Sequence, residues 1–154
     1  MSTEQQPRGK QMKDTLKLKG NLIVQLVRNG RIVEERKADN TIVTVGKNLV
    51  ATLVSGSGTA YTHMAIGTGT TAAAVGDTTL VTETGRVVFT SSAVTTNAIA
   101  YVGDFPAGTG TGSITEAGIL NAASAGTLLN RTTFSAVNKT ASDALKITWT
   151  VTFG

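Results

Sequence analysis

The sequence predicts an all-β protein, an antiparallel β-sandwich with one short helix and an extended N-terminal arm. Aromatic residues make up 5% of the chain and charged residues 16%, while glycine occurs 17 times and threonine is found in nearly every segment. This composition is typical of short strands and tight turns. Several segments alternate apolar and polar residues with a period of two. The 154 residues suffice for one domain with a single core.

Residues 1–19 form the predicted arm, and residues 20–154 form the predicted β-sandwich domain. Residues 1–14 are polar, contain Pro7 and Gly9 and show no apolar period, so they cannot build a core of their own. The arm holds five basic and two acidic residues, a formal charge of +3 out of +4 for the whole chain. We expect it to dock on an acidic protein surface through five basic side chains, which are Arg8, Lys10, Lys13, Lys17 and Lys19.

The pI near 9.6 raises the question of nucleic-acid binding. The arm has no aromatic residue on which bases could stack, and the remainder of the chain shows no concentrated basic stretch. We therefore expect protein partners and no nucleic acid.

The first two strands are predicted to form a hairpin. Apolar and polar residues alternate over residues 15–28, with Gly20 as an expected bulge. Asn29-Gly30 supplies the two positive-φ residues of a type I′ turn, and residues 31–36 return as the partner strand.

One helix is predicted over residues 44–55, because apolar residues recur there at spacings of three and four. Thr44 is expected to cap this helix and Gly56 to end it. We expect the helix to lie across an open end of the sandwich and to close the core rather than to form a binding groove. The apolar positions are Val45, Leu49, Val50, Leu53 and Val54.

The middle of the chain is predicted as strands separated by glycine-rich loops. Strands are expected at residues 61–66, 86–93 and 98–105, and a turn or short helix capped by Asp77 at residues 76–84. The glycine-rich loop at residues 67–71 has neither a following Gly-Lys-Ser/Thr nor a complete GxGxxG pattern. We interpret it as an ordinary loop rather than a nucleotide site.

The last segment is the clearest strand, and it follows two further predicted strands at residues 114–121 and 128–137. Five large apolar residues on one face of the last strand require a second sheet opposite. About eight short strands therefore predict a two-sheet sandwich. The five residues are Leu145, Ile147, Trp149, Val151 and Phe153.

Few residues are suited to catalysis or to binding a cofactor. The chain has no cysteine and a single histidine, His63, so we expect no disulfide, no metal site and no cofactor. We interpret His63 as a solvent-facing strand residue, since no serine, Ser55 and Ser57 included, lies in a recognisable nucleophile context. Glu116 is expected at a strand edge or an interface. We predict no catalytic residue and no enzymatic activity.

The sequence shows no secretory signal and no apolar stretch of roughly 20 residues that would cross a membrane. We therefore expect no membrane partner and a protein that remains in the cytoplasm where it is made.

The order of these segments resembles that of small virion proteins of tailed bacteriophages. The resemblance covers roughly residues 20–154 and omits the arm. It rests on the strand-Asn-Gly-strand opening, on NTIVTVGKNLVATLVSG (40–56), on MAIGTGTTAAAVGDTTLVTETGR (64–86), on GSITEAGILN (112–121) and on VNKTASDALKITWTVTF (137–153).

The resemblance implies a jelly-roll-like β-sandwich without catalytic residues, made in the host bacterial cytoplasm and built into the virion. It implies binding to the major capsid protein or to other virion proteins, together with self-association as a dimer or trimer. A capsid decoration (cement) protein is the leading hypothesis. A tail, baseplate or fibre component is the alternative, and the sparse aromatic residues argue against a sugar-binding tip.

Overall fold

The computed structural model describes residues 14–154, within which lie ten β-strands and one α-helix. The strands form two antiparallel sheets of five, sheet A in the order β2-β1-β10-β7-β6 and sheet B in the order β3-β9-β8-β4-β5. The prediction of an all-β sandwich is confirmed, with ten strands rather than about eight. Their bounds are β1 (Leu18–Arg28), β2 (Arg31–Asp39), β3 (Thr41–Ile42), α1 (Thr44–Val54), β4 (His63–Gly67), β5 (Glu83–Val88), β6 (Ser91–Thr95), β7 (Ala98–Phe105), β8 (Gly112–Leu120), β9 (Leu128–Lys139) and β10 (Ala144–Phe153).

The predicted hairpin is confirmed, since β1 and β2 pair through a turn in which Asn29 has a φ of 52° and Gly30 a φ of 75°. The bulge expected at Gly20 is wrong. Gly20 pairs regularly with Val151 of β10, and the irregularity lies between β1 and β2 near residues 26 and 27. Glycine is required at position 20 for a different reason. A side-chain carbon there would collide with the amide of Asn40.

The core lies between the two sheets, and β10 supplies its centre. Four of the five apolar residues predicted on one face of β10 are fully buried, and Phe153 is half-buried. The indole Nε1 of Trp149 donates a 2.5 Å hydrogen bond to Oδ1 of Asn40, which also accepts one from Nδ2 of Asn130 at 3.2 Å. Asn40 stands where the chain crosses from sheet A to sheet B, so this network joins the two sheets.

The single strand predicted at residues 86–93 is wrong. The chain leaves sheet B at the end of β5 and enters sheet A with β6, so Phe89 and Thr90 form the crossing. The Phe89 ring packs on that of Tyr101, with the ring centroids 4.6 Å apart. The crossing contains no glycine or proline, the residues that mark turns in a sequence.

Helix α1 begins and ends within one residue of its predicted bounds. The cap expected at Thr44 is wrong, because Val43 occupies the capping position and no side chain caps the helix. Gly56 follows the last turn with a φ of 88°, as expected for a residue that ends a helix. Gly46 is the buried residue of the helix, and it lies against the backbone of Leu129 in β9, where a larger residue would collide.

The connection between β4 and β5, residues 68–82, covers the outer face of sheet B. Leu80 from this connection packs with four other buried apolar residues in a second, smaller core. Residues 76–84, predicted as a turn or a short helix, form turns and bends before β5 begins at Glu83, so the turn is confirmed and Asp77 caps no helix. The other members of the second core are Val43, Ala65, Leu120 and Leu128.

Candidate protein-binding surfaces

The predicted arm residues fall into two groups. Arg8, Lys10 and Lys13 lie outside the described residues. Lys17 and Lys19 are exposed, and they line a concavity of about 380 Å³ together with Lys47 of helix α1. No acidic side chain lines this concavity, so it is a small basic surface, and Lys47 is a member that sequence analysis did not include. The other lining residues are Thr15, Leu16 and Leu18.

Glu116 is not an edge or interface residue, and that expectation is wrong. It lies in β8, the middle strand of sheet B, and its side chain is fully buried. Its Oε2 accepts a 2.9 Å hydrogen bond from Nε of Arg131, which is also fully buried. Nη1 of Arg131 lies 3.0 Å from Oδ2 of Asp77. We call these three residues, Glu116, Arg131 and Asp77, the buried charge cluster.

The buried charge cluster fastens the connection 68–82 onto sheet B. The Glu116 carboxylate accepts hydrogen bonds from the backbone N–H of Gly69 (3.0 Å), Val81 (3.0 Å) and Thr82 (2.7 Å). Arg131 donates from Nη2 to the carbonyl of Thr71 at 2.7 Å. Both ends of the connection are therefore held by one ion pair.

The cluster is structural rather than catalytic in its electrostatics. Burial acts to raise the pKa of Glu116, but the hydrogen bonds from Thr82, Val81, Arg131 and Gly69 outweigh burial and hold that pKa below its ordinary value. A carboxylate kept ionised by four donors is a poor proton donor or acceptor near neutral pH.

An apolar groove opens between helix α1 and the inner face of sheet A, with a volume of about 260 Å³. Its lining contains no charged residue. Burial raises the pKa of Tyr61 and that of Tyr101, and the Tyr61 hydroxyl donates to the carbonyl of Gly46 at 3.3 Å. The lining residues are Val50, Leu53, Val54, Tyr61, Ile99, Tyr101, Leu129, Val151 and Phe153.

Helix α1 closes the core in part, because Val50 packs against the main core and Val45 against the second one, and it also forms one wall of the apolar groove. Val50 and Leu53 are half-buried, and Val54 is 84% exposed at the rim of the apolar groove. The apolar spacing predicted the helix and its apolar stripe correctly, but the spacing carries no information about what the stripe faces.

Among the residues considered for catalysis, His63 and Ser55 lie within hydrogen-bond distance of nearby residues in the chain. His63 is half-buried, and its Nδ1 lies 2.7 Å from Oγ1 of Thr62. The Ser55 hydroxyl donates to the carbonyl of Thr52 at 2.6 Å. Across residues 14–154, no three His, Asp or Glu side chains are grouped closely enough to hold a metal ion. No helix in this same range has the length and apolar character needed to cross a membrane.

The four edge strands of the two sheets differ in how they are protected. Strand β2 carries charged side chains along its length, β3 has two residues, and β5 carries the Glu83–Arg86 ion pair at 2.6 Å. Short or charged edges discourage pairing with another chain. Strand β6, by contrast, consists of Ser, Ser, Ala, Val and Thr, and all five residues are exposed.

Comparison with models of protein families, with curated proteins and with solved structures finds no match for this chain.

Proposed function

We propose that the protein is a non-enzymatic structural protein of a bacteriophage virion, a capsid decoration protein that binds the outer shell of the head and stabilises it. The observation that carries the protein-binding part of this proposal is the apolar groove. It is concave, its lining contains no charged residue, and exposed Val54 extends it to the surface. Such a surface suits the apolar side chains of another protein.

The placement of the charged groups supports binding rather than catalysis. A site for acid–base chemistry needs a titratable side chain that faces a cavity with a shifted pKa. Here the carboxylate of Glu116 is buried against backbone N–H groups, and that of Asp143 is held by Arg28 through two 2.9 Å hydrogen bonds. Both carboxylates stabilise the fold, and neither lines the apolar groove.

The basic concavity beside Lys17, Lys19 and Lys47 supports an acidic protein partner. It lies at the start of β1, and the sequence that precedes it carries three further basic residues, Arg8, Lys10 and Lys13. Positive charge of this kind speeds association with an acidic surface and contributes a salt-dependent part of the affinity.

The assignment to a virion rests on the resemblance of residues 20–154 to small tailed-phage proteins. A decoration protein stabilises a shell because it binds the assembled form and not the dissociated one. The same surfaces would serve a tail, baseplate or fibre component, which remains the alternative. The major capsid protein is the proposed partner in the first case.

Phage heads prepared without this protein provide the test. We expect the purified protein to bind these shells at saturating, symmetric copy number. Substitution Val54→Asp places a charge at the rim of the apolar groove and should weaken binding by about tenfold or more, since unpaired charge is costly in an apolar contact. Val75→Asp is the matched control, because Val75 is 59% exposed and does not line the groove.

Each outcome bears on a different part of the proposal. Binding to isolated tails and not to shells would move the protein to the tail alternative. If Val54→Asp and Val75→Asp weaken binding equally, the apolar groove is not part of the interface. Binding to neither shells nor tails would overturn the assignment to a virion.

A further inference from the structure

We propose that two copies of this protein pair through β6, edge to edge and antiparallel, so that sheet A continues from one copy into the other. The inference goes beyond the proposed function, because it concerns the purified protein and holds whatever particle the protein joins. Strand β6 is the last strand of sheet A among the described residues, and its five residues are all exposed.

The backbone groups that face the free edge of β6 can be identified from the hydrogen bonds between β7 and β10. The N–H of Phe153 donates to the carbonyl of Asn97 at 2.8 Å. Residues of an antiparallel strand bond to its two neighbours in alternation. The odd-numbered residues of β7 therefore form backbone hydrogen bonds with β10. The even-numbered residues of β7 form them with Ser91, Ala93 and Thr95 of β6. The N–H and C=O groups of Ser92 and Val94 consequently point away from β7 and have no strand beyond them among residues 14–154.

The outward groups of Ser92 and Val94 allow a symmetric register between two copies of β6. If Ser92 of one copy lies opposite Val94 of the other, both copies use both outward residues, and four backbone hydrogen bonds form about a two-fold axis. Ala93 then faces its own counterpart across the axis as a non-hydrogen-bonded pair, in which Cα atoms come within about 4.5 Å. The smallest side chain of β6 thus occupies the most crowded position.

Strand β6 also lacks the charged side chains that would oppose self-pairing. Self-pairing about a two-fold axis brings each residue near its own copy, so a charged edge would repel itself. No residue from 87 to 103 is charged, a stretch that contains the whole of β6 and its turn to β7. The opposite edge of sheet A, β2, carries Arg31, Glu34, Glu35, Arg36 and Lys37. One edge of sheet A is therefore suited to self-pairing, and the other is not.

Burial of apolar surface adds to the backbone bonds. Val94 is 74% exposed and lies opposite Ile99 of β7, which lines the apolar groove. In the proposed pair, Val94 packs beside Ser92 of the other copy and loses part of this exposed surface. A strand of another protein would not be related to β6 by the two-fold axis, so it would not place a second Ala93 opposite the first.

The first experiment measures the association state of the purified protein by sedimentation equilibrium over a range of concentrations. We expect a monomer–dimer equilibrium. Val94→Lys should raise the dimer dissociation constant by about tenfold or more, because it places like charges across the axis. Val33→Lys is the control, since Val33 is 47% exposed on the opposite edge strand, β2, and should leave the dimer intact.

The second experiment tests the register. The chain has no cysteine, so Ala93→Cys introduces the sole thiol. Oxidation of this variant should give a disulfide-linked dimer, because the two Cα atoms lie within the range that a disulfide spans. Thr95→Cys should not crosslink, since its counterpart lies four residues away along the partner strand. Both positions are exposed, so the fold tolerates either change.

Four results would overturn the proposal. The protein could remain a monomer at all concentrations, or the Val94→Lys variant could dimerise as the wild type does. Equal crosslinking of the two cysteine variants would refute the register and the two-fold axis at Ala93. A dimer lost on deletion of residues 1–13 but kept in Val94→Lys would assign association to the arm instead.

Discussion

Replacement of Glu116 by glutamine tests whether the buried charge cluster holds the connection 68–82. The carboxylate has two oxygens, and four N–H donors point at them, two at each oxygen. Glutamine has nearly the same shape but one acceptor oxygen. Whichever way the amide is turned, its NH₂ group faces two of the four donors, which are then buried without an acceptor.

The expected loss of stability follows from the number of buried donors left without an acceptor. Each buried donor left without a partner costs about 1–3 kcal/mol, and removal of one member of a buried ion pair costs about 3–5 kcal/mol in total. We therefore expect Glu116→Gln to lower the free energy of unfolding by about 3–5 kcal/mol. Arg131→Met should cost about 3 kcal/mol, at the lower end of that range, because three backbone N–H groups still stabilise the Glu116 charge.

Denaturant unfolding, followed by circular dichroism, measures both effects. Glu35→Gln is the matched control, since Glu35 pairs with Lys37 at 4.0 Å on the exposed strand β2 and such a pair contributes at most about 1 kcal/mol. Hydrogen exchange should also quicken at Gly69, Val81 and Thr82 in the Glu116 variant. A loss in Glu116→Gln no larger than that in the control would refute the reasoning.

The same carboxylate predicts a dependence on pH. The pKa of Glu116 is lower in the folded protein than in the unfolded chain. Its contribution to stability is therefore fully present above the unfolded pKa of about 4.3 and is lost as pH falls through the lower folded value. The stability difference between wild type and Glu116→Gln should shrink over that acidic range and stay constant above it.

Four further predictions follow from other parts of the molecule. Trp149→Ala should lower the free energy of unfolding by about 3–5 kcal/mol, and native Trp149 fluorescence should be that of a buried indole; exposed emission would contradict its 0% exposure. Thr96 has a φ of 55° at the β6–β7 turn, so Thr96→Gly should raise stability by about 1 kcal/mol in thermal unfolding. Deletion of residues 1–14 should leave a folded domain with weaker, less salt-dependent binding to shells, and equal binding by both forms would make the arm passive. Assays on peptidoglycan, polysaccharide and nucleotide substrates should give no hydrolysis; an activity abolished by His63→Ala would refute the non-enzymatic proposal.

The sequence predicted those elements whose signal is local. Strict alternation in β10 identified its buried face, and Asn29-Gly30 identified the first turn, because both patterns depend on neighbouring residues alone. Gly56 likewise ended helix α1 at the expected place. In each case the structural requirement concerns neighbouring residues, so their types indicate it directly.

The sequence did not predict features that depend on distant residues. Glu116 is the single charge of β8, and Arg131 lies on the adjacent strand β9, so a lone charge within a strand was the available signal for a buried cluster. The role of Gly20 depends on Asn40, which approaches it only in the folded sheet. The open groove depends on the distance between helix α1 and sheet A, which no residue of the helix specifies.

The pairing of β1 with β10 sets the order in which sheet A can form. Strand β1 lies between β2 and β10, and Leu18 pairs with Phe153 across nearly the whole chain. During synthesis the ribosome must therefore release residues 144–153 before β1 gains its second neighbour, and until then the hairpin of β1 and β2 has one open side. Contacts this distant in sequence slow folding. We expect sheet A to be completed only after residues 144–153 have left the ribosome, with β1 open until then to pairing with other nascent chains.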